Sequence, residues 1–106
     1  MARLAAVDLS TPDTTTSIYT IPADKLATVF INVCNRNSTS VAVSIALTKG
    51  SSPTDADWIE FQHPLDGFCS IQRTGEPLEA GDRIYVSASH ANVSVVVTGA
   101  VEAPME

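Results

Sequence analysis

Basic charge is scarce in this chain. Six of the 106 residues are Lys or Arg against twelve Asp or Glu, a net charge of −6. The six cations (Arg3, Lys25, Arg36, Lys49, Arg73 and Arg83) are scattered and form no run. Nucleic-acid surfaces neutralise phosphates with clustered Lys and Arg, so no nucleic-acid partner is expected. Long apolar runs are also missing. None approaches the roughly 20 residues of a spanning helix, so no membrane partner is expected. The segment Met1-Ala2-Arg3-Leu4-Ala5-Ala6-Val7-Asp8 meets an aspartate too early for a secretory apolar region, and synthesis in a cytoplasm is the expectation.

Aromatics make up only 6% of the residues, so a core must rest on Val, Ile and Leu. Two cysteines, Cys34 and Cys69, stand at a spacing that fits no zinc or redox motif. Both are expected reduced and buried or half-buried, with a disulfide as the alternative.

Signatures of chemistry are equally thin. There is no Gly-rich phosphate loop, no nucleophile elbow and no paired-His metal motif. His63 stands at a strand end beside Pro64, and His90 in a turn expected to form a hairpin. A catalytic base needs a nucleophile and an orienting acid, and the sequence names neither. Asp55, Asp57 and Glu60 form the densest acidic cluster. A hard cation wants about six to eight oxygens, and the glycine of a calcium loop is missing. A helix cap and a solvated turn is the expected role of that cluster. Asn37-Ser38-Thr39 and Asn92-Val93-Ser94 match the glycosylation pattern, as chance allows in a chain rich in Ser and Thr. No catalytic residue, metal site or cofactor is assigned, and the chain is not expected to be an enzyme.

What the chain has is alternation. In Ser40–Thr48 every second residue is bulky and apolar, so Val41, Val43, Ile45 and Leu47 form one buried row of a strand. The same period recurs at Val29/Ile31/Val33, Ile84/Val86/Ala88 and Val93/Val95/Val97. Leu4–Leu9 reads as a short first strand or an extended arm, and Ser17–Ile21 as a second strand. Leu26–Asn35 is a long strand expected to pair with the next in a hairpin across Asn35-Arg36-Asn37-Ser38. Thr54 or Asp55 is placed to cap one helical turn. Further strands are read at Trp58–Gln62, Phe68–Thr74, Arg83–Ser89 and Asn92–Gly99. Together these predict an all-β, single-domain antiparallel β-sandwich, jelly-roll or Ig-like, of about eight short strands. The domain spans residues 1–106, with an N-terminal arm (1–16) and a short C-terminal tail (100–106).

Several segments resemble small structural proteins of tailed-bacteriophage virions. They are Ile18–Val29, Asn32–Asn37, Asp55–Glu60, Arg73-Thr74-Gly75, Leu78–Val86 and Asn92–Val95. In such proteins a Pro-Ala-Gly-Lys turn precedes a strand; here Asp24 replaces the glycine, implying a turn that does not need positive φ. The resemblance implies a virion protein, made in the host cytoplasm, that binds other virion proteins and catalyses nothing. One station is a capsid decoration (cement) protein, commonly a trimer, bound to the major capsid protein from outside; the other is a tail, neck or baseplate component. The charge favours the outer surface, because a −6 domain within packed DNA is repelled. A carbohydrate-binding or adhesin-like sandwich is the rival class. Candidate partner contacts are Met1, Arg3, Leu4, Leu9, Trp58 and Met105, from the two terminal segments and the single tryptophan.

Overall fold

The computed structural model describes residues 2–102. Eight strands are present among them: β1 (Ala2–Leu9), β2 (Thr16–Thr20), β3 (Leu26–Asn35), β4 (Val41–Thr48), β5 (Trp58–Leu65), β6 (Ser70–Glu79), β7 (Arg83–Ala88) and β8 (Val93–Glu102). One 3₁₀ turn, Asp55–Asp57, precedes β5. The strands form two four-stranded antiparallel sheets, ordered β1-β8-β3-β6 and β2-β7-β4-β5.

Among the sheet neighbours are β1 with β8, β2 with β7, β3 with β6 and β4 with β5. The chain is thus one long hairpin, turned at β4–β5 and rolled so that its arms alternate between sheets. That is a jelly roll, which decides between the two sandwich types expected. It also corrects two local expectations. β3 and β4 do not form a hairpin, and neither do β7 and β8; each connection crosses from one sheet to the other.

The alternating rows are where the periodicity puts them. Val29, Ile31, Val33, Val93, Val95 and Val97 of the first sheet face Val43, Ile45, Ile84 and Val86 of the second, and all are fully buried. Branched aliphatic side chains fill the gap between two sheets about 10 Å apart without needing aromatics. Leu47 is only half-buried at the end of its row.

Of the two readings of the N-terminal segment, the strand holds: Ala5–Leu9 pairs with Val93–Val97, and a register shift lies between Arg3 and Ala5. Residues 2–9 are therefore an edge strand and not a loose arm. Ala100, Val101 and Glu102, read as tail, complete β8 against β3. Met1 and Met105 lie outside the described residues. Asp24 corrects another expectation, since its φ is +60°. Asp tolerates that left-handed region better than most residues, so the turn keeps its geometry without glycine.

A candidate assembly surface

The groups that looked chemically suggestive are occupied structurally. Asp57 accepts from the Thr54 N–H (2.7 Å) and the Thr54 hydroxyl (3.0 Å), so the start of the turn is tied by the Asp57 carboxylate, where Thr54 or Asp55 was expected to be the cap. The Thr54 backbone N–H, more than its hydroxyl, holds the Asp57 carboxyl below the ordinary carboxylate value. Glu60 turns instead to Arg73 (3.7 Å) and His63 (3.9 Å), while Arg73 also reaches Glu76 at 3.0 Å. These charges tie edge strand β5 to edge strand β6 across the open side of the sandwich. His90 Nδ1 lies 2.9 Å from the Ser89 hydroxyl, which itself accepts the Ala42 N–H. Among the described residues no cluster of three metal-ligating side chains occurs. Cys34 is half-buried and Cys69 exposed, and no disulfide joins them. The exposure of Cys69, in the turn before β6, departs from the expectation that both are covered.

One end of the sandwich is held by a side chain that the sequence showed only as a turn residue. Asn35 is fully buried. Its Nδ2 donates to the carbonyls of Thr39 (2.9 Å), Leu65 (3.0 Å) and Asp66 (3.1 Å). Its Oδ1 accepts from the backbone and side-chain nitrogens of Asn37, and Asn37 Nδ2 also donates to Ala91 O at 2.8 Å. Three connections, β3–β4, β5–β6 and β7–β8, are thereby joined. Phe68 projects from this clamped end. Its N–H donates to Asn37 O (3.0 Å), its φ is +59°, and it is 73% exposed. A left-handed aromatic costs roughly 1–3 kcal/mol and persists only where its surroundings over-determine it.

The two outer faces differ. On the second sheet the connection after β4 folds back over the strands. Tyr85 is buried beneath it and donates to Ser51 O (2.8 Å), and Ser44 and Ala46 are buried as well. Lys49 pins the start of this connection to Asp82 and Glu79, each at 2.8 Å, and those hydrogen bonds raise its pKa, Asp82 having the larger effect. The first sheet has no such cover among the described residues. Its outer face follows from the register: Thr28, Phe30, Asn32 and Cys34 on β3 lie beside Ala100, Thr98, Val96 and Ser94 on β8. None of these eight is Asp, Glu, Lys, Arg or His. Charges stand only at the margins, with Arg3 and Asp8 on β1 and Glu79 and Glu102 at one end.

The sequence-based contact residues are not brought together. Arg3 is exposed and Leu4 half-buried on β1, whereas Leu9 is only 4% exposed and packs in the core opposite Val93, where it presents almost no surface to a partner. Trp58 lies far away on β5, half-buried and 5.6 Å edge-on from Phe61, which is 65% exposed. Phe61 and Phe68 were not anticipated. The available signal was a bulky aromatic between Gly67 and Cys69, inside a turn.

No family model and no curated protein matches this chain. Among the solved structures similar to it are two of a pentameric capsid protein isolated from metagenomic phage sequences. One is 18% identical over 92% of this chain, with a TM-score of 0.46. The other, solved by iodide phasing, is 17% identical over 92%, also with a TM-score of 0.46. The chain spans about three fifths of the length of those proteins, 62% and 63%. The jelly-roll assignment rests on the strand order of this chain.

Proposed function

We propose that this chain is a structural protein of a bacteriophage virion, a decoration or cement protein that lies on the outer capsid shell and stabilises it. The observation that carries this reading is the uncharged, uncovered outer face of the first sheet. Ser, Thr, Ala and Val desolvate cheaply against a partner, whereas Lys and Glu resist it. The resemblance seen in the sequence supports the same reading and implies a homo-oligomer, in the decoration role a trimer, touching the major capsid protein. Each subunit then adds a modest interface of about 1,000 Å² or more, and the oligomer gains by effective concentration.

A tail, neck or baseplate station uses the same face and differs only in partner. The carbohydrate-binding reading draws on Trp58 and Phe61, but their 63° interplanar angle makes no flat platform for a sugar ring. Co-sedimentation of the purified chain with capsids lacking it, and separately with tails, tests the proposal. Saturable capsid binding and a raised capsid melting temperature are expected. Val96→Glu and Thr28→Glu, both on the open face, should abolish binding and leave the fold intact. Binding to tails alone, or to a glycan array alone, overturns the decoration reading.

A further inference from the structure

Four strands carry the free edges of the two sheets, and three of them are broken. β2 has five residues and a register shift. β5 contains Pro64, a left-handed Gln62 and two shifts. β6 contains Pro77 and a left-handed Gly75, with a shift where it meets β3. Such breaks stop unwanted strand pairing. β1 has a single bulge, at Leu4, but no proline, no glycine and no positive φ, and among the described residues its backbone pairs with β8 alone.

We propose that β1 is a docking edge for a second copy of this chain, whose own β1 adds antiparallel about a two-fold axis through Ala6. The argument is one of register. Leu9, Asp8, Val7, Ala6, Ala5 and Arg3 stand opposite Val93, Ser94, Val95, Val96, Val97 and Thr98, and Leu4 is the extra residue of the bulge. The bulge shifts the phase so that Arg3, Ala6 and Asp8 share the outer face, with Asp8 two ladder positions to one side of Ala6 and Arg3 two to the other. An antiparallel copy centred on Ala6 therefore sets each Arg3 opposite the Asp8 of the other chain, twice by symmetry. Ala6 meets Ala6, and Ala5 meets Val7. Centring on Val7 or Ala5 forms neither ion pair, and centring on Asp8 opposes two like charges. Asp8 also accepts from Arg36 in its own chain, and a carboxylate has acceptor sites for both guanidinium groups.

The pairing joins two first sheets into one of eight strands and doubles the open face. A single strand pair buries far less than a stable interface needs, so the contact is weak alone and adds to others in an assembly. In a trimeric arrangement it links one trimer to the next. It does not depend on the virion reading.

Disulfide trapping in a Cys34→Ser/Cys69→Ser background tests the register. Opposed Cα atoms of an antiparallel pair stand about 4.5–5.5 Å apart, within disulfide reach, so Ala6→Cys should cross-link to itself under mild oxidation. Asp8→Cys should not, because its symmetry mate is four ladder positions away, about 13 Å. A charge swap tests the chemistry. Arg3→Glu and Asp8→Lys each oppose like charges in self-pairs but restore both ion pairs when mixed. The mixture should associate at least tenfold more tightly by sedimentation than either variant alone. Equal trapping at both positions, trapping at neither, or a mixture no more associated than its components would overturn the proposal.

Discussion

Replacing Asn35 by Ala should be among the most damaging single changes to this fold. The side chain is fully buried and makes three donor and two acceptor contacts within 3.1 Å. Truncation leaves Leu65 O in a buried position without this donor, at a cost of about 1–3 kcal/mol. The carbonyls of Thr39 and Asp66 and the nitrogens of Asn37 are partly accessible, so water replaces some of what they lose, at about 0.5–1.5 kcal/mol each. Because two amide hydrogens are shared among three carbonyls, these terms do not add in full, and the expected total is about 3–5 kcal/mol, a large share of the roughly 5–15 kcal/mol that holds a domain of this size. Urea unfolding followed by Trp58 fluorescence and by far-ultraviolet circular dichroism measures it. The melting temperature should fall by on the order of 15–30 °C. Asn37→Ala should cost less, and the double variant should show a coupling of about 0.5–3 kcal/mol, because each amide orients the other. A loss under 1 kcal/mol for Asn35→Ala would refute the idea that this amide clamps the three connections.

Gly99→Ala should prevent folding or cost more than about 3 kcal/mol, since an added Cβ meets Thr28 O at 2.2 Å; Gly81→Ala meets nothing within 4 Å and should cost only about 1 kcal/mol, as thermal melts will show. Phe68→Asn should leave stability unchanged or raise it by about 1 kcal/mol in thermal melts, because Asn tolerates the left-handed region; a stability loss above 1 kcal/mol contradicts a strained aromatic at this position. The Asp57 carboxyl is held below its usual value of 3.8, so its contribution is present above that pH and lost as the pH falls through the lower folded value; Asp57→Asn should flatten that part of an acid titration of stability. Lys49 is held above 10.5, so its contribution is present below that pH and fades as the pH rises through the higher folded value, a loss that Lys49→Met should remove from alkaline melts.

Period-two alternation identified the inward rows of β3, β4, β7 and β8 because sheet packing buries alternate residues, and it placed β3 at its observed bounds. Which strands pair was not legible. A turn signal such as Asn35–Ser38 reports that the chain reverses, not whether the next strand lies beside the last or across the core. Asn35 itself looked like a turn residue, because its partners Leu65 and Asp66 are some thirty residues away in sequence. β1 was blurred for another reason. The bulge at Leu4 breaks the phase of Leu4-Ala5-Ala6-Val7, so the segment reads equally well as an arm. The strain at Phe68 and the cover over Tyr85 are properties of loops meeting other loops, which periodicity does not encode.

The charge distribution links face and edge. Ion pairs lie around the rim of the sandwich: Asp8 with Arg36, Lys49 with Glu79 and Asp82, and Glu60 and Glu76 with Arg73. At those places charge closes the open sides and fixes the connections. A free-standing monomer gains solubility from charges spread across its sheet faces, yet the central strands β3 and β8 have none on their outer side from Thr28 to Cys34 and from Ser94 to Ala100. The second sheet covers the middle of its outer face with its own loop; on the first sheet no described residue does so. Because β1 borders the uncovered face, a second copy that extends this edge as proposed enlarges the face, with Arg3 and Asp8 of the two copies paired along the seam between two uncharged halves. The first sheet therefore has both requirements for repeated assembly: an edge that specifies how copies align and a plane that is inexpensive to desolvate.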